Sequence, residues 1–169
     1  DDDAVPLAPS VSPEALSQFD TARQQFFAED FVGALASVDA ALLQMPSDAV
    51  MHEFRALTLF AMGEFQEAAA TLYAVLNAGP GWDWTTMIGL YPSVEVYTQH
   101  LRTLEAARDA DPDDPAPRLL LAYHYLTAGH VDAAVRDIGG AGQLERPGDR
   151  RVVLGAPPGE HPLVRVTPP

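Results

Sequence analysis

Cysteine is absent from this 169-residue chain, and basic side chains are scarce. Without cysteine, the chain has no disulfide framework, no thiolate nucleophile and no cysteine-based zinc site. Its 10 basic and 24 acidic side chains give a formal net charge of −14. Because this charge repels polyanions, we expect neither a nucleic-acid partner nor binding to an anionic membrane surface. A basic or neutral protein partner fits the charge better.

Long hydrophobic runs are also missing. No apolar run reaches about 18 residues, so the sequence predicts no insertion into a membrane. The first residues, DDDAVPLAPSVSP, lack the basic and apolar regions of a signal peptide. Cytoplasmic and exported locations both remain compatible with these patterns. Hydrophobic residues make up 47% of the chain, which is enough to form a core in its middle part.

Motifs for catalysis and metal binding are missing as well. The chain contains no G-x-S-x-G, phosphate-loop or G-x-G-x-x-G motif, and no histidine pair has the i, i+4 spacing of a helical zinc site. Gly139 to Gly142 follows a helix and not a strand, which predicts a break in that helix and not a phosphate cradle. We therefore predict no enzyme activity, no metal and no other cofactor. The histidines are expected at the surface or the core edge: His52, His100, His124, His130 and His161.

Helical apolar spacing begins near Ser12 and continues to about residue 148. Ser12 is the predicted N-cap, and Pro13 follows at the first helical position, where its missing N–H costs nothing. Asp113 and Asp114 are interpreted as caps before Pro115, since their surroundings lack the order of a calcium loop. The sequence thus predicts an extended segment over residues 1–13 and an all-α domain over residues 14–148.

The helical region repeats itself with a period of 34 residues. Ala34, Ala41 and Pro46 recur in register as Ala68, Val75 and Pro80. Small residues at such positions let the two helices of a hairpin approach closely, and this period is typical of helical-hairpin repeats. A glycine at the turn, Gly63, adopts a left-handed conformation at little cost. We place four hairpins at about 15–48, 49–82, 81–114 and 115–148.

The third copy departs from the pattern of the others. Its first helix retains the W-x2-L-G-x2-Y spacing, with Trp84 and Tyr91 as packing residues. Asp83 is the predicted cap of that helix, and Pro92 should end it by Tyr91. The second helix then restarts with Ser93 as its N-cap. We classify this copy as degenerate.

With these repeats, the chain resembles the tetratricopeptide repeat (TPR) family over roughly residues 15–148. The resemblance implies antiparallel helix pairs stacked into a right-handed superhelix, with a concave face that binds a peptide or another protein. The predicted fold is therefore an all-α right-handed superhelix of about four TPR-like hairpins, with an extended proline-rich tail over residues 149–169. The predicted function is protein–protein interaction, as an adaptor or assembly scaffold.

The first helix of each pair is expected to line the concave face. Its side chains are largely apolar and aromatic, so the expected ligand is an apolar or basic protein or peptide. Trp82 is included because it lies in the approach loop and tryptophan is enriched at interfaces. For each residue the alternative is a role in the core. The candidates are Phe19, Arg23, Phe26, Phe27, Glu53, Phe54, Leu57, Phe60, Trp82, Leu119 and Tyr123.

The sequence leaves two questions with alternative answers. The C-terminal tail either caps the last repeat or lies in the concave groove as an internal ligand. The apolar face either binds a partner or closes a homodimer. A function of another class, as a small-molecule or peptide sensor, would place the ligand near Trp82 and Trp84.

Overall fold

The computed structural model describes residues 12–142, and all secondary structure in this range is helical. The predicted all-α character is confirmed for this part of the chain. Most of the predicted N-terminal segment and the whole predicted tail lie outside the described residues. The helices are α1 (Pro13–Phe27), α2 (Phe31–Gln44), α3 (Ala49–Met62), α4 (Phe65–Ala78), α5 (Trp84–Ile88), α6 (Val94–Ala110), α7 (Pro115–Thr127) and α8 (Val131–Gly142).

Four of the predicted helix caps are confirmed. The side chains of Ser12, Asp83, Ser93 and Asp114 each accept a hydrogen bond from a backbone N–H in the first turn of α1, α5, α6 and α7, respectively. Asp113 is not the cap of α7, because Asp114 holds that position; the backbone N–H of Asp113 donates to the side chain of Asp111. The expected break at Gly139 to Gly142 is also wrong, since α8 continues through this range.

Three helix pairs share the same turn geometry. The pairs α1–α2, α3–α4 and α7–α8 each pack together. Their turns contain Glu29, Gly63 and Gly129, which have positive φ values of 61°, 80° and 82°. Glu29 and Gly63 are one 34-residue period apart, so the period found in the sequence corresponds to a repeated hairpin turn. A residue with a Cβ, such as Glu29, rarely adopts this conformation. Its presence at the same repeat position as Gly63 therefore indicates that the two turns are equivalent.

The order in which the hairpins pack differs from the prediction. Helix α2 packs against α3, and α4 packs against α7. The α7–α8 hairpin therefore lies directly on the α3–α4 hairpin, and residues 79–114 do not take a place between them. Helix α5 has only five residues, about 7.5 Å of helix, and is too short to serve as a stacking helix. We call residues 79–114, which contain α5 and α6, the insert.

The insert lies across the first helices of the three hairpins. Helix α6 packs against α7 and α3, and Tyr91, in the turn before α6, contacts Phe26 of α1. We call the side of α1, α3 and α7 that the insert covers the inner face. Within residues 12–142, no helix combines the length and apolar character needed to cross a membrane.

Polar contacts fix the second half of α6 to the last hairpin. Arg108 of α6 donates to Asp137 of α8 at 3.2 Å, and Asp137 is buried. The hydroxyl of Tyr125 in α7 donates to Glu105 of α6 at 2.7 Å. Burial, together with this bond to Glu105, raises the pKa of Tyr125 to about 12. These contacts keep the insert in register with α7 and α8.

Candidate functional site

The insert fills the inner face with aromatic side chains. The ring of Tyr91 meets Phe26 of α1 edge-on, with 4.9 Å between the ring centroids. The ring of His100 lies 5.2 Å from Phe31, at the start of α2, and 6.0 Å from Phe60 of α3. Edge-to-face pairs at these distances add to the stabilisation from area burial alone. Much of the surface expected to bind a partner is thus occupied by another part of the same chain.

A buried tyrosine–histidine pair joins the insert to α7. The Tyr97 hydroxyl and His124 Nδ1 are 3.3 Å apart, and both residues are buried. The ring of Phe60 lies 4.2 Å from that of His124 on the other side. Burial lowers the pKa of His124 to about 3 and raises the pKa of Tyr97. Both side chains are therefore neutral at neutral pH, and the contact is a hydrogen bond between uncharged groups.

Two polar atoms of the insert are buried without a hydrogen-bond partner in the described part of the chain. They are the hydroxyl of Tyr91 and Nδ1 of His100. Burial raises the pKa of Tyr91 and lowers that of His100, so both groups stay uncharged at neutral pH. A buried polar atom without a partner costs about 1–3 kcal/mol. Aromatic packing, and not hydrogen bonding, therefore holds this part of the insert on the inner face.

Glu53 connects three segments at the point where the insert begins. Its carboxylate Oε1 accepts a hydrogen bond from the backbone N–H of Trp82 at 2.6 Å and from the hydroxyl of Tyr123 at 2.5 Å. Glu53 lies on α3, Trp82 lies in the loop before α5, and Tyr123 lies on α7. Both Glu53 and Tyr123 are buried. The carboxylate therefore links the entrance of the insert to two hairpins at once.

Gly81 lets the chain pass closely over this carboxylate. Its φ is +75°, and a Cβ there would lie 2.9 Å from Glu53 Oε1 and 3.2 Å from the ring of Tyr123. We expect Gly81→Ala to lower the free energy of unfolding by about 2 kcal/mol, because it adds a left-handed backbone penalty to these close contacts. Urea denaturation followed by circular dichroism would measure this loss.

Gly79→Ala is the matched control for that substitution. Gly79 has an extended backbone with φ −176°, and a Cβ there would meet nothing within 4 Å. Replacing it should leave the stability unchanged or raise it slightly, since alanine restricts the unfolded chain. Equal losses for the two variants would contradict the close approach at Gly81.

The structure places the predicted binding residues in three different environments. Phe19, Leu119 and Trp82 are half-buried and pack against the core. Arg23 and Phe27 are exposed, and 55% of Phe27 is accessible to solvent. The remaining six candidates are buried: Phe26, Glu53, Phe54, Leu57, Phe60 and Tyr123.

The six buried candidates form part of the core and do not line an open groove. Phe54, for example, packs against Phe19 and Phe26, while Phe60 lies beneath two histidines, one of them from the insert. For these six residues the alternative role in the core is the one observed. The sequence did not indicate that residues 81–114 would cover the face, because they have the length of one more repeat. For Arg23, Phe27 and the half-buried residues, binding stays a prediction.

A cleft remains open where α1 meets the turn after α5. It has a volume of about 390 Å³ and is lined by Asp20, Arg23, Gln24, Phe27, Gly89 and Leu90. Asp20 and Arg23 form an exposed ion pair at 3.6 Å, which contributes little to stability because water screens it. The cleft thus combines the exposed ring of Phe27 with polar groups that can exchange partners. We call it the α1 cleft.

Sequence reasoning missed the role of His124. We expected it at the surface or the core edge, but it is fully buried between Phe60 and Tyr97. The signal was present in the spacing, since His124 follows the buried residues Leu120 and Leu121 at i+4 and i+3 on α7. Among residues 12–142, histidine and acidic side chains do not gather into a group of three that could hold a metal ion.

Comparisons with known proteins give no family for this chain. No protein-family model matches the sequence, and no curated protein matches it at a significant level. The features of the chain that bear on its function are the occupied inner face, the Glu53 contacts and the open α1 cleft.

Proposed function

We propose that this protein is a helical-repeat interaction module of the tetratricopeptide type that binds a peptide or protein segment at the α1 cleft. The 34-residue register and the three hairpins with equivalent turns support the repeat class. Proteins of this architecture use extended surfaces for binding, and the binding role is assigned to this chain by analogy with them. The proposal assigns a binding role and no catalytic step.

The exposed ring of Phe27 beside Leu90 is the observation that carries this proposal. Phe27 lies in the last turn of α1 and is 55% exposed, although the neighbouring Phe26 is completely buried. Aromatic side chains dominate the binding energy of many interfaces when they enter a pocket on the partner. Leu90 extends the apolar surface onto the insert. The α1 cleft therefore lies beside the inner face, between α1 and the insert, and is open to solvent.

Charge indicates the kind of partner. Residues 12–142 contain eighteen acidic side chains and six arginines, so a basic segment approaches this surface more favourably than an acidic one. Arg23 is already paired with Asp20, and Gln24 offers both a donor and an acceptor. The expected ligand is a segment with one or two apolar anchors, flanked by arginine or lysine.

Selection of peptides from a random display library against the full-length chain would test this function. We expect the enriched peptides to combine apolar and basic residues, and Phe27→Glu to weaken their binding by about tenfold or more, since an interface anchor is lost. Isothermal titration calorimetry with one synthetic peptide would give the affinities.

Leu43→Glu provides the matched control. Leu43 lies on α2, is 86% exposed, and does not line the α1 cleft. It tests whether any new glutamate on the acidic surface changes peptide binding. Peptides with an acidic consensus, or equal effects of the two substitutions, would contradict the proposal.

A further inference from the structure

Helix α8 carries an apolar stripe that no described residue covers. Val131, Val135 and Ile138 are 56%, 60% and 49% exposed. Their i, i+4, i+7 spacing places them along one side of the helix. The neighbouring side of α8 contains Ala134 and Asp137, which are buried in the last hairpin. We call Val131, Val135 and Ile138 the α8 stripe.

An equivalent side chain of the α3–α4 hairpin is covered by the hairpin that packs on it. The turns at Gly63 and Gly129 are equivalent, so Ile138 of α8 corresponds to Leu72 of α4. Leu72 is buried and lines a small cavity together with Leu120 and Tyr123 of α7. By this register, the α8 stripe is the surface on which the next element of the array should pack.

The chain itself supplies a segment that could cover the stripe. Residues 143–169 follow α8 directly and include the apolar run Val152, Val153 and Leu154. Val152 is ten positions beyond Gly142, and an extended chain spans roughly 33 Å over that distance. Helix α8 is only about 18 Å long, so the run can return along its whole length.

Charge also favours this segment over other occupants. Residues 143–169 contain four of the ten basic side chains and only three acidic ones, whereas residues 12–142 are strongly acidic. A second copy of the chain would bring the same acidic surface to the contact. The stripe is also small, with three aliphatic side chains, compared with the roughly 800 Å² per partner that a stable interface buries.

We infer that residues 143–169 fold back over α8 and place Val152, Val153 and Leu154 against the α8 stripe, as a cap on the last hairpin. The inner face cannot serve as their main docking surface, because the insert occupies it. Arg150 and Arg151 precede the apolar run and come close to the acidic helical domain in this arrangement. The contact shields the last apolar face of the array from solvent.

Crosslinking in the full-length chain can test this inference, because the chain has no native cysteine. The test variant carries Val135→Cys and Val153→Cys and is treated with a short bismaleimide crosslinker. Both substitutions should be tolerated, because cysteine is itself a small apolar side chain and can replace valine in an apolar contact. We expect a crosslinked monomer, detected by mass spectrometry of the peptide pair.

Leu43→Cys combined with Val153→Cys is the control pair, since Leu43 is exposed on α2. We expect at least about fivefold less intramolecular product from this pair, because a docked segment has a higher effective concentration at its own site. Equal yields from the two pairs would overturn the inference. A predominant dimer linked through the position of Val135 would also overturn it, and would assign the stripe to a second copy of the chain.

Discussion

Acidification from about pH 6.5 to about pH 4 is expected to lower the free energy of unfolding by about 3 kcal/mol through His124 alone. Burial lowers the pKa of His124 from 6.5 to about 3. Below pH 6.5 the unfolded chain binds a proton at this residue and the folded chain does not. Protonation of His124 therefore costs no stability above pH 6.5, and this cost to the free energy of unfolding grows as the pH falls toward 3.

The contribution of His124 to the acid sensitivity of folding can be separated from that of the acidic residues. The measure is the slope of the free energy of unfolding against pH. His124→Phe should reduce the pH dependence of stability in this window by about 1.4 kcal/mol per pH unit. It should also lower the stability at pH 7, because the Tyr97 hydroxyl loses the partner seen at 3.3 Å. Urea denaturation at several pH values would measure both effects.

His130→Phe is the control for this experiment, because His130 is exposed at the turn before α8. This variant tests whether replacement of any histidine by phenylalanine changes the slope. Parallel curves for the unmodified chain and His124→Phe would show that His124 is not the buried neutral group described above. Half-buried His100, whose pKa is also lowered by burial, should add to the acid sensitivity in the same direction.

Glu53→Ala should destabilise the protein by about 4 kcal/mol, since it leaves two donors at a buried site without their acceptor. The N–H of Trp82 and the hydroxyl of Tyr123 both donate to Glu53 Oε1. The substitution also removes the contact that holds the entrance of the insert on α3 and α7. We expect a lower urea midpoint and faster proteolysis within the insert than in the hairpins.

Two further variants define what the Glu53 result means. Both donors bind the same oxygen of Glu53. Glu53→Gln retains one oxygen with two lone pairs that can accept both hydrogen bonds, so only a minor part of the loss should remain, from the weaker uncharged bonds. Glu67→Ala removes a carboxylate that pairs with Arg55 at 2.6 Å but is 58% exposed, and should cost less than about 1 kcal/mol. A loss for Glu53→Ala no larger than that for Glu67→Ala would contradict the structural role of Glu53.

Helix ends and hairpin turns could be predicted from the sequence. Ser12, Ser93 and Asp114 were recognised as caps because a cap depends on a few adjacent residues. Proline restricts the backbone in any surroundings, so Pro92 was recognised as a helix end. Gly63 was recognised as a turn residue because glycine adopts a left-handed conformation at little cost. In each case the interaction spans one or two helical turns, so local residues determine it.

The candidate site was predicted less well, because exposure depends on distant residues. Phe26 and Phe27 are adjacent and chemically identical, yet one is buried and the other is 55% exposed. Their difference follows from the direction of each side chain around α1, and from Tyr91, which lies far away in the sequence and packs on Phe26. A hydrophobic residue on a helix does not indicate which other segment will cover it.

The sequence by itself determined an acidic, cysteine-free chain of helical hairpins, with the positions of their caps and turns. Only the tertiary structure decided that α7 packs on α4, and that residues 79–114 leave the series and cover the inner face. The physical reason is that a period records length and local geometry, whereas stacking order depends on the competition between complementary surfaces. The five residues of α5 are too few for a stacking helix, and the aromatic side chains of the insert pack against α1, α3 and α7 instead.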